Sequence, residues 1–167
     1  GKGKLPLAVG APEQMRMRVK DFEHVVIDTK ASATRATLES LIKGYNLLIV
    51  PTFPNILSLD TLIETIDSLR GLDASRFRLL LTKVPPLPQR DGEEARRVIE
   101  AMELPIFKTQ IRHSKAFERA AERGTIVGHV REYDVSSLAA GDYEELCAEV
   151  GEILAANELA ESVKTGS

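Results

Sequence analysis

Residues 24–52 read HVVIDTKASATRATLESLIKGYNLLIVPT, and this stretch decides the fold class. It contains two apolar runs, Val25-Val26-Ile27 and Leu47–Val50, that do not alternate with polar residues. Unbroken apolar runs are typical of strands that are covered on both faces, as in parallel sheets. The residues between them predict a helix over 33–43, which Gly44 is placed to end.

The rest of the chain continues this alternation of strands and helices. Apolar runs predict strands at 5–9, 77–84, 106–107 and 126–127. Residues 13–20 can form a short helix, and apolar residues at helical spacing predict helices over 58–70, 91–102, 114–123 and 142–156. We therefore expect an α/β fold with a doubly wound, mostly parallel sheet and helices on both faces. One domain is expected over 1–159, followed by a frayed tail over 160–167.

Composition is ordinary for a water-soluble protein, with 43% apolar and 28% charged residues in a chain of 167. The one cysteine, Cys147, excludes an internal disulfide framework and is expected to be a buried thiol. No apolar run reaches the length of a membrane span, and no charged-then-apolar leader precedes the first strand. These features predict a cytoplasmic protein with no membrane partner.

Asp28 is the first candidate functional residue, because it directly follows an apolar strand-like run. Ligands of open α/β sheets gather beyond the carboxyl ends of the strands. Many nucleotide hydrolases hold Mg²⁺ through an acid in this position, usually through water. From the residues alone, the alternative is that Asp28 merely caps the helix that begins near Ser32.

A basic segment is the second candidate. Its positive residues are Lys108, Arg112, Lys115, Arg119 and Arg123. The last three repeat every four residues, so on a helix they form one stripe that could contact DNA phosphates without reading sequence. The alternative is a solvated helix face that Glu118 and Glu122 partly neutralise. Residues 142–161, in contrast, carry seven acids and no Lys or Arg.

Three stretches, in this order, resemble ParA-type partition ATPases, a family that includes MinD. They are HVVIDTKASATRATLESLIKGYNLLIVPTFPNILSLDTLIETIDSL (24–69), FRLLLTKV (77–84) and LPIFKTQIRHSKAFERAAERGTIV (104–127). The resemblance runs from about Leu5 to Leu154. It implies a fold like that of the P-loop nucleotide hydrolases, with ATP or ADP and Mg²⁺ as cofactors.

The resemblance also implies roles for particular residues. Asp28 would support Mg²⁺, through water, and help to organise the attacking water, while Thr29 would lie in the adjoining switch segment. The positions that match the surroundings of the nucleotide base are Thr82, Lys83, Pro85, Ile111 and Arg112. The positions that match the DNA-binding basic residues are Arg112, Lys115, Arg119 and Arg123.

Partners follow from the same resemblance. We expect a homodimer with ATP between its subunits, nonspecific DNA as a ligand, a ParB-like protein that stimulates hydrolysis, and a nucleoid-associated location in the cytoplasm. The cargo would be a plasmid, a chromosome or another cell component.

One part of the family pattern is absent from residues 1–167, namely the glycine-rich loop with lysines and a Ser or Thr that grips the phosphates. The start, GKGKLPLAV (1–9), instead resembles the segment that follows the second strand of the family. We therefore expect an N-terminally incomplete domain that cannot hydrolyse ATP alone. The alternative is a nucleotide-free binding or scaffold module on the same fold.

Overall fold

Two parallel strands, β1 (Leu48–Thr52) and β2 (Phe77–Leu81), pair with Leu48 opposite Phe77. The structure is a computed structural model that describes residues 22–28, 45–54, 74–130 and 136–165. Four of the five residues of β2 are buried, and the exception is Arg78, which interrupts its apolar residues. Both strands overlap the runs 47–50 and 77–84 that the sequence predicted, with bounds shifted by up to three residues, and they pair in parallel.

A third chain segment runs parallel to β2 on its other edge. Phe107 donates its N–H to the carbonyl of Leu79 at 2.9 Å, and Ile111 donates its N–H to the carbonyl of Leu81 at 2.8 Å. Between these two bonds the third segment advances by four residues while β2 advances by two. The extra residues form a bulge, Lys108–Gln110, which we call the 108–110 bulge.

Three α-helices surround these strands in the described chain: α1 (Asp91–Ala101), α2 (Lys115–Glu122) and α3 (Ser136–Thr165). Each overlaps a predicted helix. Helix α3 is longer than the predicted 142–156, because it begins at Ser136 and continues to Thr165, within the tail that was expected to be frayed. The hydroxyl of Ser114 caps α2 by accepting from the N–H of Ala116 at 3.2 Å. None of these helices is both long enough and apolar enough to cross a membrane.

The core lies on both faces of β2, and alternate residues of the strand point to opposite sides. One cluster contains Leu79, Leu81, Val84, Ala95 and Ile99. The other contains Leu80, Phe107, Ile111 and Leu146. Residues of α1 therefore cover one face of β2 and residues of α3 the other. This is the local arrangement that a doubly wound sheet requires, while the complete sheet stays a prediction.

Gly92 lets α1 approach the chain that leaves β2. A Cβ atom at Gly92 would lie 2.5 Å from Cγ1 of Val84, which is buried in the core. We expect Gly92→Ala to lower the free energy of unfolding by about 1–2 kcal/mol, because overpacking outweighs the better helix propensity of alanine. Urea unfolding measures this change.

Gly141 provides the matched control for Gly92→Ala, because it lies inside α3 and a Cβ atom added there would meet no neighbouring atom within 4 Å. Gly141→Ala is expected to raise the free energy of unfolding by about 0.5–1 kcal/mol through helix propensity alone. Equal stability of the two variants would contradict the close contact at Gly92.

Residues 22–28 differ from their prediction. The chain divides into two units, residues 1–33 and 34–167, and residues 22–28 belong to the first. They have no regular secondary structure, and Val26 is 95% exposed. The buried strand expected over 24–29 is therefore wrong for 24–28, because an apolar run forms a buried strand only where other parts of the fold pair with it and cover its faces. The elements predicted at 5–9, 13–20, 33–43 and 58–70 lie outside the described residues.

Two smaller predictions are also wrong. Residues Val127–His129 form a single 3₁₀ turn, where the sequence predicted a strand at 126–127. Two apolar residues are too few to show whether a pattern repeats as in a strand or as in a helix. Cys147 is exposed on α3, because the packed face of that helix is set by Leu146 and Val150 and the next position along is turned away.

Candidate functional site

A groove of about 700 Å³ opens beyond the carboxyl end of β2. Two chain segments form its walls, the loop Val84–Gln89 and the turn Gln110–Lys115, and Gly92, Glu93 and Asp142 complete the lining. The walls are tied together by the N–H of His113, which donates to the carbonyl of Val84 at 2.7 Å. We call this the β2 groove. Its position at the carboxyl end of a parallel strand makes it the candidate ligand site.

A second cavity, of about 360 Å³, lies near the amino ends of the strands and is lined in part by Asn46. Arg76 in this cavity forms a salt bridge with Glu161. The side-chain amide of Asn157 donates to the carbonyl of Ser75 at 3.0 Å in the same place. Since ligands of parallel sheets collect at the opposite end of the strands, this cavity is not the candidate site.

The sequence-predicted nucleotide residues are distributed around the end of β2. Pro85 and Arg112 line the β2 groove. Thr82 lies behind it, with its N–H and its hydroxyl donating to the carbonyl of Thr52 at 2.9 and 3.3 Å. Ile111 is buried in the core beside Phe107. The structure thus brings Pro85 and Arg112 to the groove, while Thr82 and Ile111 support its walls, and their roles toward a nucleotide stay predictions.

Lys83 turns the chain from β2 into the wall of the groove. Its φ of 54° is left-handed, a conformation that costs a residue with a side chain about 1–2 kcal/mol. Its Nζ atom lies 4.8 Å from the centre of the Phe53 ring, within the range of a cation–π interaction. This contact links the residues that follow β1 and β2, and it directs the ammonium group toward β1.

Arg112 and Asp142, which both line the groove, form a bidentate salt bridge. Nε and Nη2 of Arg112 donate to the two carboxylate oxygens of Asp142 at 2.7 and 2.6 Å. The N–H of Arg112 also donates to this carboxylate, at 3.0 Å. The side chain of Asp142 is 7% exposed and that of Arg112 is 42% exposed. These hydrogen bonds raise the pKa of Arg112, so the guanidinium stays charged and paired.

The 108–110 bulge is held from two sides. Glu149 of α3 accepts the N–H groups of Lys108 and Thr109 at 2.8 and 2.9 Å. Arg96 of α1 donates to the carbonyls of Phe107 and Lys108 at 2.9 and 3.0 Å. Backbone groups that the bulge removes from the sheet are thereby satisfied, and the turn that lines the β2 groove is fixed in place.

Glu149 makes the fold sensitive to acid. Burial acts to raise the pKa of its carboxyl, but hydrogen bonds from Thr109 and Lys108 outweigh burial and lower it. A lowered pKa in the folded state means that the stabilisation is present above the unfolded value of about 4.3 and is lost as pH falls through the folded value. We expect Glu149→Gln to lower the free energy of unfolding by about 1–3 kcal/mol at neutral pH. The loss should shrink below about pH 4, which urea unfolding across pH measures.

Glu152 supplies the control for this measurement, because it is an exposed acid one turn further along α3. Glu152→Gln should stay within about 0.5 kcal/mol of wild type at every pH. A Glu149→Gln variant with the same stability and pH profile as Glu152→Gln would show that the carboxylate does not hold the bulge.

Residues of α2 present the predicted basic stripe to solvent. Lys115, Arg119 and Arg123 are all exposed. Nη1 of Arg119 lies 2.8 Å from a carboxylate oxygen of Glu122, so part of the stripe is neutralised within the helix. On its other side α2 packs against α3 through the rings of Phe117 and Tyr143, whose centres are 5.8 Å apart. The stripe is exposed to solvent, and its contact with DNA phosphates stays a prediction.

Asp28 is exposed in the first unit of the chain. Thr29 lies outside the described residues. Over the ranges that the structure covers, no group of three or more His, Cys, Asp or Glu side chains could together hold a metal ion. The role of Asp28 toward Mg²⁺, through water, stays a prediction.

Sequence reasoning missed the three side chains that fix the groove wall: Arg96, Asp142 and Glu149. Asp142 and Glu149 are two turns apart on α3 and reach back 30 and 40 positions in the chain. The available signal was the acidic composition of 142–161 beside a basic segment at 108–123. That contrast predicts attraction between the two segments, but not which acid contacts which donor.

Comparison with known proteins supports a ParA-like family for this chain. The chain is similar to Maintenance of carboxysome distribution protein A of Gloeobacter kilaueensis, with 32% identity over 132 residues. The similar region covers 79% of this chain and 61% of that protein, so the chain spans less than two thirds of its relative. No protein-family model matches the chain.

Proposed function

We propose that this protein is a ParA-like positioning ATPase that binds ATP and Mg²⁺ between two subunits and contacts DNA without reading its sequence. The similarity over 132 residues to a protein named for maintaining carboxysome distribution carries the proposal. The β2 groove supports it, because two of the residues expected near the nucleotide line that groove. The proposed biological role is to distribute a cellular cargo, whether a carboxysome-like body, a plasmid or a chromosome.

The walls of the β2 groove suit a nucleotide base better than a phosphate chain. Pro85, Pro86 and Leu87 form an apolar wall, and Leu87 is 79% exposed. Asp142 neutralises Arg112 at the other wall. When bound, ATP supplies the phosphoryl group for hydrolysis. Asp28 would hold Mg²⁺ through water, and the phosphates would need a glycine-rich loop that residues 1–167 do not contain.

DNA contact is assigned to the exposed stripe Lys115, Arg119 and Arg123. These side chains can neutralise phosphates without reaching base edges, which gives binding that depends on salt and not on sequence. A ParB-like protein on the cargo would stimulate hydrolysis, and DNA contact would place the protein on the nucleoid in the cytoplasm.

Titration with a fluorescent ADP analogue in the presence of Mg²⁺ tests the nucleotide part of the proposal. We expect saturable, weak binding by this chain, with a Kd in the range of about 0.1–1 mM because no phosphate loop contributes. Leu87→Glu should weaken binding at least about tenfold by placing a charge on the apolar wall. Leu159→Glu is the matched control, because Leu159 is exposed on α3 and does not line the groove.

The same titration separates the two candidate functions. Equal affinity of the Leu87→Glu and Leu159→Glu variants would place the nucleotide elsewhere. No saturable binding, together with salt-dependent DNA binding, would favour the nucleotide-free scaffold module.

A further inference from the structure

The pairing of Arg112 with Asp142 uses the edge of the guanidinium that would otherwise grip a phosphate. Arginine binds phosphate best with two parallel N–H donors. Here Nε and Nη2 already form such a bidentate contact with Asp142, at 2.7 and 2.6 Å. A DNA phosphate would have to take the place of the carboxylate to bind in the same way.

Charge on α3 reinforces this pairing. Glu145 lies close enough to Arg112 to favour its charged form, and Glu149 likewise interacts with Lys108. Nonspecific DNA affinity depends on how many phosphates a protein neutralises, because each neutralised phosphate releases counterions. A guanidinium held by a buried carboxylate, as Arg112 is held by Asp142, contributes little to this release, whereas an exposed pair such as Arg119 with Glu122 exchanges its partner easily. With α3 docked, the predicted DNA surface therefore depends on the exposed residues Lys115, Arg119 and Arg123.

We propose that Asp142 is an internal competitor for phosphate, an autoinhibitory contact through which docked α3 keeps Arg112 out of DNA binding. The proposal rests on the nonspecific DNA binding proposed above. It divides the four basic residues of the predicted DNA surface into two sets. Lys115 and Arg119 on α2 and Arg123 directly after it are exposed while α3 holds Arg112, and Arg112 joins them when its contact with Asp142 is lost.

Burial explains why DNA alone does not displace Asp142. Its side chain is 7% exposed and also accepts the N–H of Arg112 at 3.0 Å. Moving Arg112 onto a phosphate would leave this carboxylate buried without its main partner, which is costly. Release therefore requires either a shift of α3 or loss of the charge on Asp142.

Fluorescence anisotropy with a labelled random-sequence duplex tests the proposal. Asp142→Asn keeps the shape and one acceptor oxygen while it removes the competing charge. We expect it to bind DNA about five- to tenfold more tightly than wild type near 0.1 M salt, with a log–log salt slope steeper by about 0.9. Circular dichroism checks that the variant is folded.

Two further variants make the result specific. Glu145→Gln removes the same charge from an exposed position on α3 that makes no hydrogen bond to Arg112. Its gain in DNA affinity should be less than about twofold, because solvent and salt screen an exposed charge. The double variant Arg112→Gln with Asp142→Asn keeps the wild-type net charge and should bind DNA as wild type does. Weaker binding by the double variant would contradict the proposal even if Asp142→Asn alone does not fold.

Each other outcome overturns the proposal. Equal gains from Asp142→Asn and Glu145→Gln would show an effect of net charge alone. Weaker binding by Asp142→Asn, or by the double variant, would show that Asp142 orients Arg112 toward DNA in the wild type. If wild type binds DNA in these cases, the proposed function stands and this inference fails. If no variant binds DNA, both fail.

Discussion

Arg112→Ala is expected to lower the free energy of unfolding by about 3–5 kcal/mol, the cost of leaving a buried carboxylate without its partner. The carboxylate is that of Asp142, whose side chain is 7% exposed and accepts two hydrogen bonds from the guanidinium. Asp142→Ala should cost less, about 2–3 kcal/mol, because the guanidinium left behind is 42% exposed and regains water. Urea unfolding followed by circular dichroism measures both.

Arg119→Ala is the matched control for Arg112→Ala. Its salt bridge with Glu122 has a similar distance, 2.8 Å, but both side chains are largely exposed. The expected cost is about 0–1 kcal/mol, since exposed ion pairs contribute little. A cost for Arg112→Ala as small as that for Arg119→Ala would show that Asp142 is solvated in solution.

Phe107→Ala is the second substitution with a large expected effect, about 3–5 kcal/mol. Phe107 is fully buried between β2 and α3, in the cluster with Leu80, Ile111 and Leu146. Removing its ring leaves a cavity that this part of the core cannot close, because the 108–110 bulge beside it is held by Arg96 and Glu149.

Leu87→Ala tests whether burial is the cause, because Leu87 is 79% exposed and should change stability by no more than about 0.5 kcal/mol. Phe107→Leu should fall between the two, near about 1–2 kcal/mol, since it keeps most of the apolar contact. A loss below about 1 kcal/mol for Phe107→Ala would contradict the tight packing of this cluster.

Elements with long apolar patterns were predicted well from sequence. Residues 48–52 and 77–81 are parallel strands, and the amphipathic spacing in 91–102 and 142–156 gave α1 and the centre of α3. Local patterns failed where burial depends on distant partners. Residues 24–28 have the apolar composition of a strand yet are exposed, and Cys147 sits one position beyond a packed face.

The candidate site was predicted in part. The rule that ligands bind beyond the carboxyl ends of parallel strands indicated the end of β2, where Pro85 and Arg112 do line a groove. In the sequence, Arg112 is one of several basic residues. No local pattern indicates that Asp142, 30 residues later, is its partner. A basic residue and its acid partner so far apart in the chain cannot be paired by spacing, since only the packing of α3 against β2 brings them together.

Because side chains of α3 contact residues 108–112, which come earlier in the chain, this part of the fold is completed only late in synthesis. The ribosome synthesises residues 108–112 before Asp142 and Glu149. The N–H groups of Lys108, Thr109 and Arg112 therefore lack their carboxylate acceptors until α3 has been synthesised. A nascent chain at that stage carries an unfinished sheet edge, the kind of surface that chaperones recognise and that aggregates when left uncovered. Emergence of α3 completes that edge.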